Sequence, residues 1–379
     1  MHSHVNALLH CLREITYTPP MPTTQEMEKR PARAWICADG LVHNRRTMSD
    51  GFVKPGASSK VEIRRAGDAI AAGTATQRDE EIVQEWRDCH AYVLNTFQNT
   101  LRRWIRDEPY VMVQRLKRLR TVRDKLATGR AANVSSMHDL AGCRIIFPDV
   151  RALTQFREVF HAGTRSSHEY ASSGKYDYLA NPKSTGYRGF HDVFKYHVAN
   201  APGNAWNGLR VEIQYRTNAQ HAWATAVEIS DLIDNARVKF DRGTNQDRER
   251  LFVLASEYIA RNSESMFGAA PDLTDAQVEG ELMDLEHRLG VLARLRALSA
   301  GAVGVPNNKN LVLMFDNNQL AIEPFKSSKQ AMTRRNQIEI DKPDVDVVYI
   351  RAEKPNEVAN AFRNYFRDAR GFLDLLPRF

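Results

Sequence analysis

The run from Leu209 to Thr217 is the feature that most constrains the fold of this chain, because apolar and polar side chains alternate along it. A period of two is the period of a β-strand, whose successive side chains point to opposite faces of a sheet. One predicted face is apolar, and the other carries Arg210, Glu212, Gln214 and Arg216. Taken alone, the run is typical of a half-buried strand whose polar face meets water.

A second acidic residue stands before another predicted strand. Asp139 precedes the short apolar run Cys143 to Phe147. If this run and the strand at 209–216 belong to one sheet, Asp139 and Glu212 are candidate ligands for one metal ion. Mg²⁺ bound to phosphates takes one or two protein carboxylates together with water. The pair therefore indicates phosphoryl transfer, while an N-cap or turn role is the alternative for Asp139 alone.

Length and composition narrow the class of protein. A chain of 379 residues is long enough for two domains, and its formal charge of +7 favours polyanionic ligands such as nucleotides or a nucleic acid. The four cysteines include no Cys-x-x-Cys pair, which argues against a structural zinc site and against a disulfide framework. The sequence contains no apolar run of membrane-spanning length and no signal-peptide pattern at Met1 to His10, so we expect a cytoplasmic protein that does not engage a membrane.

The periodicities predict an α+β protein in four parts. They are an N-terminal extension (1–77) that is partly irregular with one short helix from Ser59 to Ala72, a mixed-sheet domain (78–240), a helical extension with a linker (241–304), and a small α/β domain (305–379). In the second part we predict a long helix from Arg78, strands at 143–147, 192–198 and 209–216, and helices at 150–162 and 217–235. Further on we predict helices at 246–266 and 274–298, strands at 311–315, 320–324 and 345–350, and a last helix at 356–376.

A dense basic segment precedes Asp139. Its cationic side chains are Arg115, Lys117, Arg118, Arg120, Arg123, Lys125 and Arg130, with only Asp124 to offset them. These charges would repel one another along a free helix, and an anionic ligand would relieve the repulsion. The segment therefore favours phosphate binding, with a solvated helix face as the alternative.

A loop rich in Pro and Gly follows between residues 175 and 191. Tyr187 offers a ring that can stack on a nucleobase, with Lys183 placed to meet phosphates. The alternative for Tyr187 is a turn tyrosine that packs on its own domain. His191 begins the next strand, where a structural role competes with a functional one.

In this order, the motifs resemble the synthetase domain of the RelA/SpoT family, from about Arg78 to Asp234. The carriers are Arg115-x-Lys117 with Lys125, Asp139-Leu-Ala-Gly142-x-Arg144, Asp177-Tyr178 with Pro182-Lys183-x-x-Gly186-Tyr187, His191, and Glu212-Ile-Gln214-Tyr-Arg216-Thr217. The resemblance implies a nucleotidyltransferase-like mixed sheet flanked by helices. It also implies ATP held by the basic segment, Mg²⁺ held by Asp139 with help from Glu212, and Tyr187 stacked on the base of the acceptor.

The implied activity is transfer of the β,γ-pyrophosphate of ATP to the 3′-hydroxyl of a guanine nucleotide, GDP or GTP, with release of AMP. Arg115, Lys117, Lys125 and Arg144 would clamp the triphosphate, and Glu212 would bind metal or act as a base. Gln214, Arg216 and His191 would orient the reactants.

Two departures keep the acceptor open. The residues before 78 show no pattern of the hydrolase domain that long family members carry, so we expect no hydrolase activity. Where the family has a charged motif linked to acceptor choice, this chain reads Gly174-Lys175-Tyr176-Asp177, which fits neither usual version. The alternatives are a toxin that pyrophosphorylates the 3′ end of tRNA and an inactive nucleotide-binding regulator. The toxin alternative needs further basic residues that could bind along a tRNA backbone. The candidates are Arg102, Arg103, Arg106, Arg242, Arg248 and Arg250, with solvated helix faces as the alternative.

The C-terminal part shows no catalytic signature of its own. Three roles remain open for it: covering the active site, mediating self-association as a homo-oligomer, or sensing a partner. A regulatory role is a hypothesis from its position after a catalytic domain.

Overall fold

The computed structural model describes residues 52–164, 168–172, 174–234, 246–299, 308–316, 319–342, 345–351 and 368–377. All of them belong to one compact unit, Asn44–Phe379. The first 51 residues of the N-terminal extension lie outside the described residues, as does most of the linker after residue 299.

Two helices open the described part of the chain, α1 (Lys60–Ala71) and α2 (Gln77–Trp104). Each begins with a capping box, in which Ser59 or Thr76 caps backbone N–H groups while the acid three residues on bonds back. The short helix predicted at 59–72 and the long helix predicted from Arg78 are confirmed.

The central sheet has five strands: β1 (Val111–Leu116), β2 (Ala141–Phe147), β3 (Glu169–Tyr170), β4 (Phe190–Lys195) and β5 (Arg210–Thr217). Their order is β1-β2-β5-β4-β3, with β2 parallel to β5 and the other neighbours antiparallel. Helices α3 (Leu119–Ala127), α4 (Val150–Thr164) and α5 (Asn218–Asp234) connect or follow the strands. The expected α+β fold with a mixed sheet is thereby confirmed.

Side-chain alternation divides this sheet into two unlike faces. One face packs on helices, where Phe156 of α4 contacts the rings of Phe147 and Tyr215, and Phe97 of α2 contacts Phe194. The opposite face, which we call the active face, carries the in-register side chains Val111, Val113, Arg115, Arg144, Ile146, His191, Glu212, Gln214 and Arg216.

The basic segment differs from the sequence expectation. It is a strand end, a turn and a short helix rather than one continuous helix, because Arg115 lies on β1 and Lys125 lies on α3. The strand β1 was not predicted, since its apolar residues and its basic residues overlap the charge run. The helix predicted at 274–298 is also two helices, α7 (Asp275–Leu289) and α8 (Val291–Leu298), separated by Gly290 at φ 60°.

Helix α6 (Gln246–Glu264) packs with α5, α7 and α8 in one apolar cluster. The short helix α10 (Arg370–Leu373) joins them through Phe372, which is fully buried, and Leu376 follows it into the cluster. Of the helix predicted at 356–376, residues 356–367 lie outside the described residues, and in the described part (368–376) only Arg370–Leu373 are helical. No helix in the described ranges is both long and apolar enough to cross a membrane.

The C-terminal sheet is antiparallel, in the order β7 (Gln319–Phe325), β6 (Asn310–Asp316), β8 (Asp346–Arg351), with α9 (Ser328–Asp341) between β7 and β8. All three predicted strands are confirmed. One of its faces packs on α9 through Val312, Ala331, Ile338 and Val347. The other face places Leu311, Leu313, Val348 and Ile350 against Val113 and Ile146 of the central sheet. The C-terminal sheet therefore packs on the apolar half of the active face.

Candidate active site

Asp139 and two lysines form the first part of the site. Asp139 lies just before β2, and its Oδ2 accepts from Lys117 Nζ at 2.6 Å and from Lys125 Nζ at 2.7 Å. Burial by itself opposes ionisation of Asp139, but the two ammonium groups outweigh it and hold the pKa of Asp139 far below its usual range. Three residues singled out from the sequence are thus brought together, and the carboxylate is an anion at any physiological pH.

The cationic side of this cluster is crowded. The pKa of Lys117 is lowered to about 8. Burial is the largest cause, the positive charges of Lys125 and Arg115 lower the pKa further, and the carboxylate of Asp139 raises it. The backbone of Lys117 is held in place by Arg87, which is fully buried and whose guanidinium donates to the carbonyl oxygen of Lys117 at 2.7 Å. A bound polyanion would stabilise the protonated, cationic form of Lys117.

Glu212 anchors the second part of the site, on β5. Its Oε1 lies 3.0 Å from Nδ1 of His191, and its Oε2 accepts from Gln214 Nε2 at 2.7 Å. Burial works against the charge, but the attraction of His191 prevails and lowers the pKa of Glu212 to about 2. The pKa of His191 is raised, because its neighbours Tyr187 and Glu212 outweigh the desolvation of the ring. The pair is thus held as an ionised carboxylate beside a readily protonated imidazole.

Arginines continue the active face along the strands beyond Glu212. Arg144 donates to Gln214 Oε1 at 3.2 Å, so one glutamine links Arg144 to Glu212. Burial and the nearby charges of Arg216 and Arg115 all lower the pKa of Arg144. A guanidinium still stays protonated in a protein, so the crowding is a repulsion between fixed cations. Phosphate oxygens are the natural partners for such a cluster.

The carboxylates of Asp139 and Glu212 interact electrostatically, since the charge of Asp139 raises the pKa of Glu212. Both lysine bonds to Asp139 end on Oδ2, which leaves Oδ1 available as a ligand atom. No group of three or more His, Cys, Asp or Glu side chains suited to a metal occurs among the described residues. Two hard oxygen donors without nitrogen or sulfur fit Mg²⁺, which binds through one or two carboxylates when phosphates supply further ligands.

Tyr187 occupies a different environment from the one the resemblance implies. Its residue is 5% exposed, and the ring packs in the cluster of α5 and α6. The hydroxyl lies 2.6 Å from Nε2 of His191 and accepts from Arg216 Nη2 at 3.0 Å. In this arrangement Tyr187 fixes His191 and Arg216 rather than presenting a ring face, so stacking on a base requires the ring to move. Base stacking on Tyr187 stays a prediction.

Lys183 lies over aromatic rings of the same loop. Its Nζ is 4.3 Å from the ring centroid of Tyr178 and 5.2 Å from that of Tyr187. Tyr178 is half-buried and its ring meets the imidazole of His191 edge-on. Sequence reasoning gave Tyr178 no role, although its place beside Asp177 in the loop was the available signal.

Glu264, the last residue of α6, is a second residue that sequence reasoning missed. Its buried carboxylate pairs with Arg188 and accepts from Gln220 Nε2 at 2.9 Å and from Thr217 Oγ1 at 2.5 Å. Ser256 of α6 also donates to the carbonyl of Gly186 at 2.6 Å. Helix α6 therefore fixes the loop around Tyr187 and the end of β5. Nothing in the local sequence of Glu264 could have shown this, because its partners lie 44 to 76 residues away.

The extra basic residues considered for tRNA are largely engaged within the protein. Arg248 is 1% exposed and pairs with Asp231, while Arg250 forms two bonds of 2.7 Å to Glu281. Arg102 donates to the carbonyl of Arg351. Arg103 and Arg106 are exposed, and Arg242 lies outside the described residues. The described residues of this set do not form a continuous basic surface.

Two carboxylates and a group of crowded cations on one face of a mixed sheet have the chemistry of a site for polyphosphate substrates. Comparison with known proteins agrees with this class. Residues 114–231 match the sequence profile described as the region found in RelA / SpoT proteins. That interval contains every site residue predicted from the sequence, so the chain carries a RelA/SpoT region and the resemblance drawn from its motifs is confirmed.

Individual relatives resemble only part of the chain. The GTP pyrophosphokinase YjbM of Bacillus subtilis (strain 168) is 27% identical over 144 residues, which are 38% of this chain and 63% of that protein. The crystal structure of small alarmone synthetase 1 from Bacillus subtilis is 25% identical, with a TM-score of 0.33, over 40% of this chain and 73% of that one. A GTP pyrophosphokinase family protein from Streptococcus pneumoniae is 21% identical, with a TM-score of 0.38, over 53% of this chain and 96% of that one.

Proposed function

We propose that this protein is an ATP-dependent pyrophosphokinase. It transfers the β,γ-pyrophosphate of ATP to the 3′-hydroxyl of a guanine nucleotide, GDP or GTP, and releases AMP. The observation that carries the proposal is that Asp139, held by Lys117 and Lys125 just before β2, lies close enough to Glu212 on β5 for its charge to raise the pKa of Glu212. The RelA/SpoT region and the partial similarity to a GTP pyrophosphokinase support the same chemistry.

The cations position the donor nucleotide. Lys117, Lys125 and Arg144 meet the triphosphate, and Arg115 joins them from the end of β1. In-line attack by the acceptor hydroxyl on the β-phosphorus needs two reactants held in a fixed geometry, so positioning supplies much of the rate. The cations of the free site repel one another, and phosphate oxygens relieve that repulsion when they enter. The favourable interaction is therefore made at the phosphates, where charge develops during the reaction.

Asp139 and Glu212 would hold Mg²⁺ together with phosphate oxygens. When bound, this ion neutralises the charge that develops on the transferring group and on the leaving phosphate. Lys117 and Lys125 already keep Asp139 ionised, so its carboxylate needs no deprotonation before it binds.

Glu212 is better suited to orient the acceptor hydroxyl through a hydrogen bond than to remove the proton of that hydroxyl. A carboxylate whose pKa is about 2 binds a proton weakly, so it is a poor general base near neutral pH. It accepts a hydrogen bond from the acceptor hydroxyl and orients that oxygen toward the phosphorus, and the hydroxyl proton passes to an oxygen of the transferred phosphate as the new P–O bond forms and the bond to AMP breaks. His191 maintains this state by its contact with Glu212, and Tyr187 fixes the imidazole from the other side.

The test is transfer of label from ATP carrying ³²P on the γ-phosphate, with Mg²⁺ and with GDP, GTP, ATP or deacylated tRNA offered separately. Label on GDP or GTP supports the proposal. Label on tRNA alone would replace it with the toxin activity. Absence of transfer to every acceptor, with ATP binding retained, would replace it with a nucleotide-binding regulator.

Asp139→Asn is the decisive variant for this assay. It removes the anion that both lysines contact, and we expect transfer to fall by about 10²–10³. Glu169→Gln is the matched control, because Glu169 is an exposed carboxylate on β3 of the same sheet that pairs with Lys195. Equal rates for Asp139→Asn and the control would contradict the assignment of Asp139.

A further inference from the structure

Glu264 occupies a position that the local chemistry of a helix disfavours. It is the last residue of α6, where the helix dipole presents partial negative charge and stabilises cations rather than anions. Its side chain is only 3% exposed, so the carboxylate is also removed from water. The next residue, Ser265, has a left-handed backbone with φ 54°, which residues with a side chain rarely adopt. Such departures from local preference are expected where a functional site constrains the chain.

The buried carboxylate of Glu264 has partners on three other segments. Arg188 of the loop before β4 forms an ion pair with it, and the side chain of Arg188 is itself buried. Thr217 Oγ1 at the end of β5 and Gln220 Nε2 at the start of α5 donate to the same carboxylate oxygen, at 2.5 Å and 2.9 Å. The turn after α6 also reaches this loop, since Arg188 Nη2 lies 3.5 Å from Sδ of Met266. One side chain of α6 therefore joins the loop, β5 and α5.

The segments that Glu264 joins lie beyond the end of the sheet ladder. Pairing between β4 and β5 ends at Phe190 and Tyr215, so the ladder itself does not hold Arg188 against Thr217. The carboxylate of Glu264 bridges this gap through its contacts to both side chains. It thereby fixes the loop relative to β5 where backbone hydrogen bonds between the two strands have stopped.

The bridged residues are chain neighbours of two predicted site residues. Tyr187 precedes Arg188, and Arg216 precedes Thr217. The side chains of Tyr187 and Arg216 also meet directly, since Arg216 Nη2 donates to the tyrosine hydroxyl at 3.0 Å. The relative position of these two side chains therefore depends on a residue of α6.

A second buried carboxylate on α6 shows what a purely structural pair looks like. Glu257 is fully buried and accepts from Arg261 at 2.7 Å and from the backbone N–H of Ala270 at 2.8 Å. These partners belong to α6 itself and to the turn that follows it. Glu257 thus holds the helix to its own turn, whereas Glu264 holds the loop and the strand that carry site residues.

We propose that Glu264 is a positioning residue for the acceptor nucleotide. The carboxylate acts through Arg188 and Thr217. Their chain neighbours are Tyr187, which is expected to meet the acceptor base, and Arg216, which is expected to orient the reactants. Because Arg188 anchors the backbone beside Tyr187, the tyrosine ring can turn about its own side-chain torsions while the loop keeps its place. This role rests on the proposed function, which supplies the acceptor.

The kinetic test compares Glu264→Gln with the unmodified full-length protein. Label transfer is measured at varied GDP and at varied ATP. We expect the KM for GDP to rise about tenfold or more while the KM for ATP stays within about twofold, because glutamine lacks the charge that holds Arg188. An equal rise in both KM values would overturn the proposal, since general loosening of the domain affects donor and acceptor alike.

Glu257→Gln is the matched control for this variant. It removes the charge of a buried carboxylate from the same helix, one that pairs with an arginine in the same way. We expect it to lower the Tm without separating the KM for GDP from the KM for ATP. The same separation in Glu257→Gln as in Glu264→Gln would assign the effect to helix stability instead.

The double variant Arg188→Met with Glu264→Met carries the test where Glu264→Gln does not fold. It leaves neither charge of the pair buried alone, and apolar replacement of a buried ion pair commonly preserves stability. Hydrophobic contact is not directional, so this variant should fold and still show the raised KM for GDP. Recovery of the KM for GDP of the unmodified protein would show that the ion pair acts only through stability.

Hydrogen–deuterium exchange of residues 176–191 in the nucleotide-free protein separates this inference from the proposed function. We expect faster exchange of this segment in Glu264→Gln than in Glu257→Gln. If the unmodified protein transfers no label to GDP or GTP, the proposed function fails, and the exchange result still decides whether Glu264 holds the loop. Equal exchange in the two variants would overturn the positioning role whatever the acceptor.

Discussion

The two halves of the active face are built on neighbouring strands of one sheet and differ in their own side chains as well as in what lies against them. Where β2 pairs with β5 through Gly142 with Glu212 and Arg144 with Gln214, the face is polar and its side chains bond to one another. Further along the same strands, Ile146 and Val113 are buried by the C-terminal sheet. One alternation pattern thus serves as a site at one end and as a domain interface at the other.

This contrast shows that the face of a strand and the function of that face are separate questions. Period-two alternation fixes which side chains share a side. Whether that side binds a ligand, meets water or packs on a second layer depends on the partner that covers it. The C-terminal sheet lies beside the arginine cluster rather than in place of it, since Ile146 pairs in register with Arg216.

Arg87→Met should have the largest effect on stability, because Arg87 ties the lysine side of the active site to α9 of the C-terminal part. It is fully buried, and its removal leaves Glu339 without its closest cation and the Lys117 carbonyl without its donor. We expect a loss of about 3–5 kcal/mol in the free energy of unfolding, measured by urea denaturation. Arg78→Met is the matched control on the same helix, since its ion pairs are exposed. If Arg87→Met lowers the free energy of unfolding no more than Arg78→Met does, the bonds from Arg87 to Lys117 and Glu339 do not stabilise the fold.

Glu212→Gln tests the polar half. We expect the rate of pyrophosphoryl transfer to fall by about 10²–10³. The urea midpoint should fall as well, because a glutamine keeps the shape and can still bond to Gln214 but loses the charge that pairs with His191. Steady-state kinetics should show the loss in kcat more than in the KM for ATP, which the cations bind. A loss confined to KM would mean that Glu212 contributes only to binding.

Leu313→Ala tests the apolar half. Leu313 is fully buried in the cluster that includes Val113 and Ile146, so its truncation should cost about 3 kcal/mol of stability. Leu320→Ala is the comparison, because Leu320 packs against the same cluster but is only partly buried and should cost less. If Leu313→Ala also raised the transfer rate, the C-terminal sheet would be shown to restrain the polar half. Unchanged transfer would separate the two halves functionally.

The pH dependence of stability should give the smallest effect. The pKa of His191 is raised in the folded protein, so its contribution is fully present below the ordinary histidine pKa of about 6.5 and is lost as the pH rises through the raised value. Glu212 behaves in the opposite sense, and its contribution is lost only as the pH falls toward about 2. Urea denaturation of the protein and of His191→Asn between pH 5 and pH 9 checks this, and parallel curves for the two proteins would contradict it.

Much of the site was predictable because its residues lie in local motifs. Asp139, Lys117 and Lys125 were chosen for charge and order along the chain, and the structure brings all three together. For Tyr187 the sequence left two interpretations open, a ring that stacks on a base or a turn tyrosine that packs on its own domain, and the structure shows a ring buried against α5 and α6. Strand β1 was missed because its apolar run is short and merges into a charge cluster, so no local period separates it from the helix that follows.

The sequence by itself determined strands β2, β4 and β5 with their inward and outward faces, the caps of α1 and α2, and the charged groups that meet at the site, because each depends on neighbours within a few positions. Only the tertiary structure decided that Glu264 holds Arg188 and that Arg87 reaches Lys117 and Glu339. These contacts join residues that are distant in sequence, and their energies come from burial and from pairing across elements. No local pattern carries that information.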